Sequence, residues 1–122
     1  MSEREPLYAS PGQPGKRGFE DLECYQLALE VMAKVHVFSK RLPPDEKFDL
    51  YSQMRRSSKS VTANIGEGYG RYHYLDSLRY YSIARGELNE TLAHLIDAKV
   101  LNYIEQPEFE ALYQLIRHTE PA

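Results

Sequence analysis

Residues 55–71 read RRSSKSVTANIGEGYGR. Through and just before this stretch, Tyr51, Met54, Ser58, Val61 and Ile65 recur at spacings of 3, 4, 3 and 4. That is the period of a helix with one face turned to a core. Beside this seam runs a second one of the same spacing, made of Ser57, Ser60, Asn64, Glu67 and Arg71. A polar seam next to an apolar one describes a helix covered on two sides, and its small residues let another helix come close. Asn64 and Glu67 would then need partners, because an unpaired buried polar group costs about 1–3 kcal/mol. A second subunit is one source of partners, since a polar seam residue can fix register and oligomer state. A solvated face and a ligand or nucleic-acid face are the alternatives. Asn64 separates them, because on a solvated face its replacement by Ala does little.

Outward from this segment the chain is helical on both sides. Leu22, Tyr25, Leu29 and Met32, widened by Ala28, Val35, Phe38 and Leu42, predict a first helix over about 21–42. Pro43-Pro44 stops it. Asp45 and Glu46 suit the start of a second helix over about 45–67, which Gly66, Gly68 and Gly70 bring to an end. Leu78, Tyr81, Leu88, Leu92 and Leu95, with Ala84 between, predict a third over about 75–101, with Asn102 as its C-cap. Pro107 opens a short fourth helix over about 107–119, whose apolar face is Phe109, Leu112, Tyr113 and Ile116. Four amphipathic helices with short connections imply an all-α, antiparallel up-down four-helix bundle over residues 19–119. Residues 1–18, rich in Pro and Gly, are expected to be a flexible tail without the apolar core of a secretory signal.

The totals narrow the function classes. With 122 residues the chain is one domain, and 15 basic against 18 acidic residues leave a formal net charge of −3. A free-standing polyanion binder usually carries a strong positive excess, so basic chemistry here has to be local. It is local: from Gln53 to Arg71, Arg55, Arg56, Lys59 and Arg71 face only Glu67, a net of +3. Residues 103–122 carry Glu105, Glu108, Glu110 and Glu120 against Arg117, a net of −3. Arg55, Arg56 and Lys59 form a patch suited to phosphates, or to ion pairs with acids of neighbouring helices. Among ten tyrosines, Tyr69, Tyr72, Tyr74, Tyr80 and Tyr81 cluster at the turn after the second helix. Interleaved with Arg71 and Arg79, they suit base stacking or packing at a protein interface.

Catalysis finds little footing. Cys24 is the single cysteine, which excludes an internal disulfide and a thiolate zinc site, and fits a reducing cytoplasm. No Glu is followed by His three residues later, as a di-metal helix bundle requires. Glu87, Glu90 and His94 share one helix face as a weak metal-like grouping, equally at home as an ion-paired surface. The GEGYG string follows a helix and lacks the lysine of a phosphate loop. No apolar run approaches the ~18 residues of a membrane span. The expectation is a non-enzymatic protein without cofactor or metal.

The string SVTANIGEGYGR, followed by IARGELNET, resembles the signature of the four-helix-bundle proteins encoded in 23S rRNA intervening sequences. A close relative is the accessory variability determinant of diversity-generating retroelements. The similarity runs over about residues 19–117 and takes in Phe19, Leu22, the Arg55-Arg56 pair, Ala63 to Arg71, and Ile83 to Glu90. It implies a ring-like homopentamer of small bundles with no assigned catalytic residues. In the retroelement relative it implies a basic surface that binds nucleic acid and a reverse transcriptase. Carried over, it places Asn64, Glu67 and Arg71, with Gly86 and Glu90, at or near the subunit contact. Ser57 and Ser60 join them through the polar seam. Arg55, Arg56, Lys59 and Arg71 are then the candidate phosphate contacts, with Tyr69 or Tyr72 stacking. The expected role is an accessory module of RNA or a ribonucleoprotein, with a pure protein scaffold as the alternative. Where the family often has Gly-Ser-Leu, this chain has Gly86-Glu87-Leu88, which sets an extra carboxylate beside Glu90.

Overall fold

The computed structural model describes residues 5–120. Its helices are α1 (Glu23–Ser39), α2 (Leu50–Tyr69), α3 (Tyr74–Val100) and α4 (Gln106–His118). Single 3₁₀ turns lie at Phe19–Asp21 and Pro44–Glu46, and the described residues contain no strand. Residue pairing shows that neighbours run antiparallel. Down α2 and up α3, Gly68 meets Tyr80 and Tyr81, Ser57 meets Thr91, and Arg56 meets Glu87 and Glu90. Arg55 reaches Ser39 on α1, whereas Gly66, eleven positions later on α2, packs on Phe19 ahead of α1. Arg41 pairs with Glu108, closing α1 against the start of α4. With α3 also packed on α4, the four helices form a closed up-down bundle.

The core takes one stripe from each helix: Leu27, Ala28, Val31, Val35 and Phe38 from α1; Met54, Val61 and Ile65 from α2; Ala84, Leu88, Leu92, Leu95 and Ala98 from α3; and Leu112, Leu115 and Ile116 from α4. On α2 and α3 this is the stripe the spacing predicts from Met54 to Ile65 and from Ala84 to Leu95. Tyr51 and Tyr81 are only partly buried, and Leu78 is exposed, because it lies near the start of α3 where the core ends. On α1 the stripe is rotated by about one residue, with Leu27 and Val31 buried and Tyr25, Leu29 and Met32 only partly covered. The α1 sequence is apolar on most of its circumference, so periodicity alone does not choose the inward face.

Boundaries differ from expectation at three places. α1 already ends at Ser39, three residues short of the predicted 42, and the Arg41 and Leu42 N–H groups donate back to Phe38 O and Ser39 O in a turn ahead of Pro43. Pro44, Asp45 and Glu46 form a separate 3₁₀ turn, and α2 begins five residues later than its acidic start signal. The Tyr103 hydroxyl donates to Glu46 at 2.9 Å, which holds that turn against the α3–α4 connection. At the other end α2 runs through Gly66 and Gly68 to Tyr69, with Gly70 as its C-cap. Asn102 does terminate α3: its φ of 63° is left-handed. The Asn102 N–H donates to Lys99 O at 3.1 Å and the Tyr103 N–H to Ala98 O at 2.8 Å, the paired bonds of a Schellman ending.

Of the expected tail, residues 1–4 lie outside the described residues. Within 5–18 the chain is tied to the bundle entry rather than bare. Asp21 accepts from the backbone N–H of Gly15 and Arg17 and from the Arg17 guanidinium at 2.6–3.1 Å. The Gln26 amide both donates to Tyr8 O and accepts from Tyr8 N–H. The Arg17 side chain holds the Asp21 carboxyl below its usual value.

Candidate nucleic-acid interface

Arg55 and Arg56 are adjacent in sequence but point to opposite neighbours, because one residue turns a helix by about 100°. Arg56 faces α3. It bridges Glu87 at 3.2 Å and Glu90, so both carboxylates neutralise it. Burial would raise the Glu90 carboxyl, but hydrogen bonds from Arg56 and His94 outweigh it and leave it below the usual value. The Glu90 hydrogen bond in turn pushes the Arg56 guanidinium up. The weak metal-like grouping of Glu87, Glu90 and His94 is therefore an ion-paired face. Among the described residues no cluster of His, Cys, Asp and Glu has the geometry of a metal site.

Arg55 faces α1. Its Nε donates to Ser39 Oγ at 2.8 Å and its Nη2 to His36 O at 3.4 Å, and the guanidinium lies over the Tyr51 ring at 4.3 Å. A cation on the last carbonyls of α1 complements the negative end of that helix. These partners are all neutral, so the charge of Arg55 is held in place without being cancelled. Lys59, one turn further along α2, is exposed and takes part in none of the described ion pairs.

Sequence reasoning missed the other half of this edge. His36 sits in the last turn of α1 and Lys40 at its C-cap, beside Arg55 and Lys59. The His36 imidazole is held below its usual value by partial burial and by the like charges of Arg55, Lys40 and Lys59. A signal existed: antiparallel pairing of α1 and α2 brings the end of α1 beside the first half of α2. Basic residues around Ser39 therefore meet Arg55.

The remaining candidates lie elsewhere. Arg71 is paired with Glu67 at 2.8 Å, bonded to Tyr80 Oη at 2.7 Å and stacked on the Tyr80 ring, at the far end of α2 from Arg55. Tyr69 is half-exposed against Phe19, and Tyr72 is 95 % exposed beside His73. The basic-aromatic candidates thus divide between the two ends of the bundle and do not form one surface.

The polar seam also divides. Ser57 is fully buried and its Oγ lies 2.7 Å from Thr91 Oγ1, so it is engaged within the chain, between α2 and α3, and not on a free face. Asn64 donates to Ser60 O and Ser60 Oγ at 2.8 and 3.0 Å, leaving both residues partly exposed. Glu67 and Gly86 are exposed. Open clefts include one of about 310 Å³ between Glu46, Asp49, Leu50 and the end of α3, and one of about 510 Å³ between α1 and α4. Neither gathers the basic residues.

The chain is thus an all-α four-helix bundle with a basic α1–α2 edge, where the described partners of Arg55 are neutral. The chain belongs to the 23S rRNA-intervening sequence protein family, whose model matches residues 20–121. Its fold is similar to the crystal structure of a protein of unknown function from the S23 ribosomal protein family of Bacteroides thetaiotaomicron. The identity is 26 %, with 80 % of this chain and 91 % of that chain covered, at a TM-score of 0.73. No curated protein matches the chain. Among the described residues, no helix is long and apolar enough to cross a membrane.

Proposed function

We propose that the chain is a non-enzymatic, oligomeric accessory protein of the cytoplasm that associates with RNA or a ribonucleoprotein. The observation that carries this reading is the α1–α2 edge. In a molecule of net charge −3, Lys40, Arg55 and Lys59 lie together with neutral partners or none of the described ion pairs. Phosphate is the common ligand for such a cluster. A family described by its 23S rRNA connection supports the same reading. The test is anisotropy of a short structured RNA across a salt series. A log–log slope of several released counterions supports it, and absence of binding at low salt overturns it.

A second reading, a protein scaffold without direct RNA contact, is favoured by a different observation. The outer face of α3 exposes Ile83, Ile96 and Val100 at 43 %, 42 % and 73 %. With Gly86, Asn89 and Ala93 between them, these make a small, largely uncharged strip suited to another helix. The resemblance implies five copies. Arg55→Glu with Lys59→Glu separates the readings: loss of the oligomer makes these residues structural, and loss of RNA affinity in an intact oligomer makes them phosphate contacts.

A further inference from the structure

We infer that His36, in the last turn of α1, and Lys40, at its C-cap, complete with Arg55 and Lys59 of α2 a single phosphodiester-binding edge (the groove an RNA strand would occupy) whose grip tightens when the imidazole gains its proton. This rests on the nucleic-acid reading above and adds the place of the contact and its control by pH. Every charged group that faces the imidazole is cationic: Lys40 from its own helix, Arg55 and Lys59 from α2. On the opposite side of α2 the same chain neutralises Arg56 with two carboxylates. The groove is therefore a place where like charge is left gathered, at a cost that an incoming anion removes. Arg55 is pre-positioned there by Ser39 Oγ and the His36 carbonyl, so one end of the groove is rigid before any ligand arrives.

Linkage sets the sign. Partial burial and the surrounding cations hold the free imidazole below its ordinary value. A phosphate in the groove reverses that preference. Binding then takes up a proton and strengthens as pH falls.

The experiment uses the full chain and a fluorescein-labelled RNA stem-loop, read by anisotropy at pH 8.0 and pH 5.5 at fixed low salt. The expected results are a gain of roughly fivefold or more on acidification for the native chain, and loss of that gain in H36Q. K40E and K59E should each weaken binding roughly tenfold. K99E, a reversal on the last turn of α3, should weaken it much less. An H36Q chain that keeps the full pH response overturns the inference, and so does K99E matching K40E, while RNA binding itself would stand. A second readout needs no variant: the His36 proton resonances are titrated with and without inorganic pyrophosphate. An upward move of the His36 midpoint supports the groove even if RNA fails to bind, in which case only the nucleic-acid reading falls. No move overturns it.

Discussion

The ring of Tyr81 occupies the space that a side chain at position 68 would need. A Cβ added to Gly68 would stand 2.8 Å from Tyr81 Cε1 and 3.1 Å from Tyr80 Cβ. α2 and α3 approach closely at this end because residue 68 has no side chain. Alanine is the better helix former by about 1 kcal/mol, but the overlap has to be relieved by moving a ring packed on the core or the helix itself. Gly68→Ala is expected to destabilise the chain by about 1–3 kcal/mol. Urea unfolding followed by circular dichroism measures it, and a variant as stable as the native chain would show that the α2–α3 contact is looser than described.

Gly86 is the opposite case. It is exposed in the middle of α3, and an added Cβ would have nothing within 4 Å. Within one chain, Gly86→Ala should therefore raise stability by up to about 1 kcal/mol. If the outer strip of α3 seats a second copy by close approach, the same change should weaken the assembly. Light scattering behind size exclusion, run over a dilution series, decides it. A monomer-ward shift places Gly86 in the contact, and an unchanged assembly removes it.

These two glycines show what was legible in the sequence and what was not. Helical periodicity located four helices, and on α2 and α3 the middle of the buried stripe is the one the 3–4 spacing marks, while Leu78 at its outer end is exposed. On α1 the signal was ambiguous, because Leu27, Leu29, Val31, Met32 and Val35 cover more than one face, and only the neighbouring helices select Leu27 and Val31. The polar seam on α2 was visible, but spacing cannot tell which seam residue meets the chain's own α3. Ser57 does, while Ser60 and Asn64 bond each other. Likewise the run Arg55, Arg56 reads as one patch in sequence, and becomes two sites once tertiary pairing gives Arg56 to Glu87 and Glu90. His36 and Lys40 were unreadable as site residues without the α1–α2 register.

The buried Ser57–Thr91 pair offers a direct measure of how the α2–α3 contact is held. Both hydroxyls have a second partner, since Ser57 lies 3.3 Å from Met54 O and Thr91 donates to Glu87 O at 2.9 Å. Removing either one leaves the other satisfied. Ser57→Ala and Thr91→Val are each expected to cost about 0.5–1.5 kcal/mol. The double variant should cost less than the sum, by about 0.5 kcal/mol or more. Strict additivity in the unfolding free energies would mean that the 2.7 Å contact contributes nothing of its own.

The Arg56 bridge makes stability depend on acid in a defined direction. The Glu90 carboxyl is below its ordinary value of 4.5 in the folded chain, with Arg56 the strongest of the groups that lower it. A carboxyl whose folded value is depressed adds stability above its unfolded value. That contribution is lost as pH falls from about 4.5 through the folded value. Arg56 and Glu90 are both substantially exposed, so the contribution is modest, about 0.2–1 kcal/mol for each pair and reduced by salt. Arg56→Ala is therefore expected to cost no more than about 1–2 kcal/mol at pH 7. The gap between variant and native chain should narrow as pH falls from about 4.5 through the lowered Glu90 value. Unfolding free energies at pH 7.0, 5.0 and 3.5 follow it. A gap that persists at pH 3.5 would show that Arg56 acts through packing of its aliphatic stem on α3 and not through charge. A gap that widens with acid would contradict the direction of the Glu90 shift.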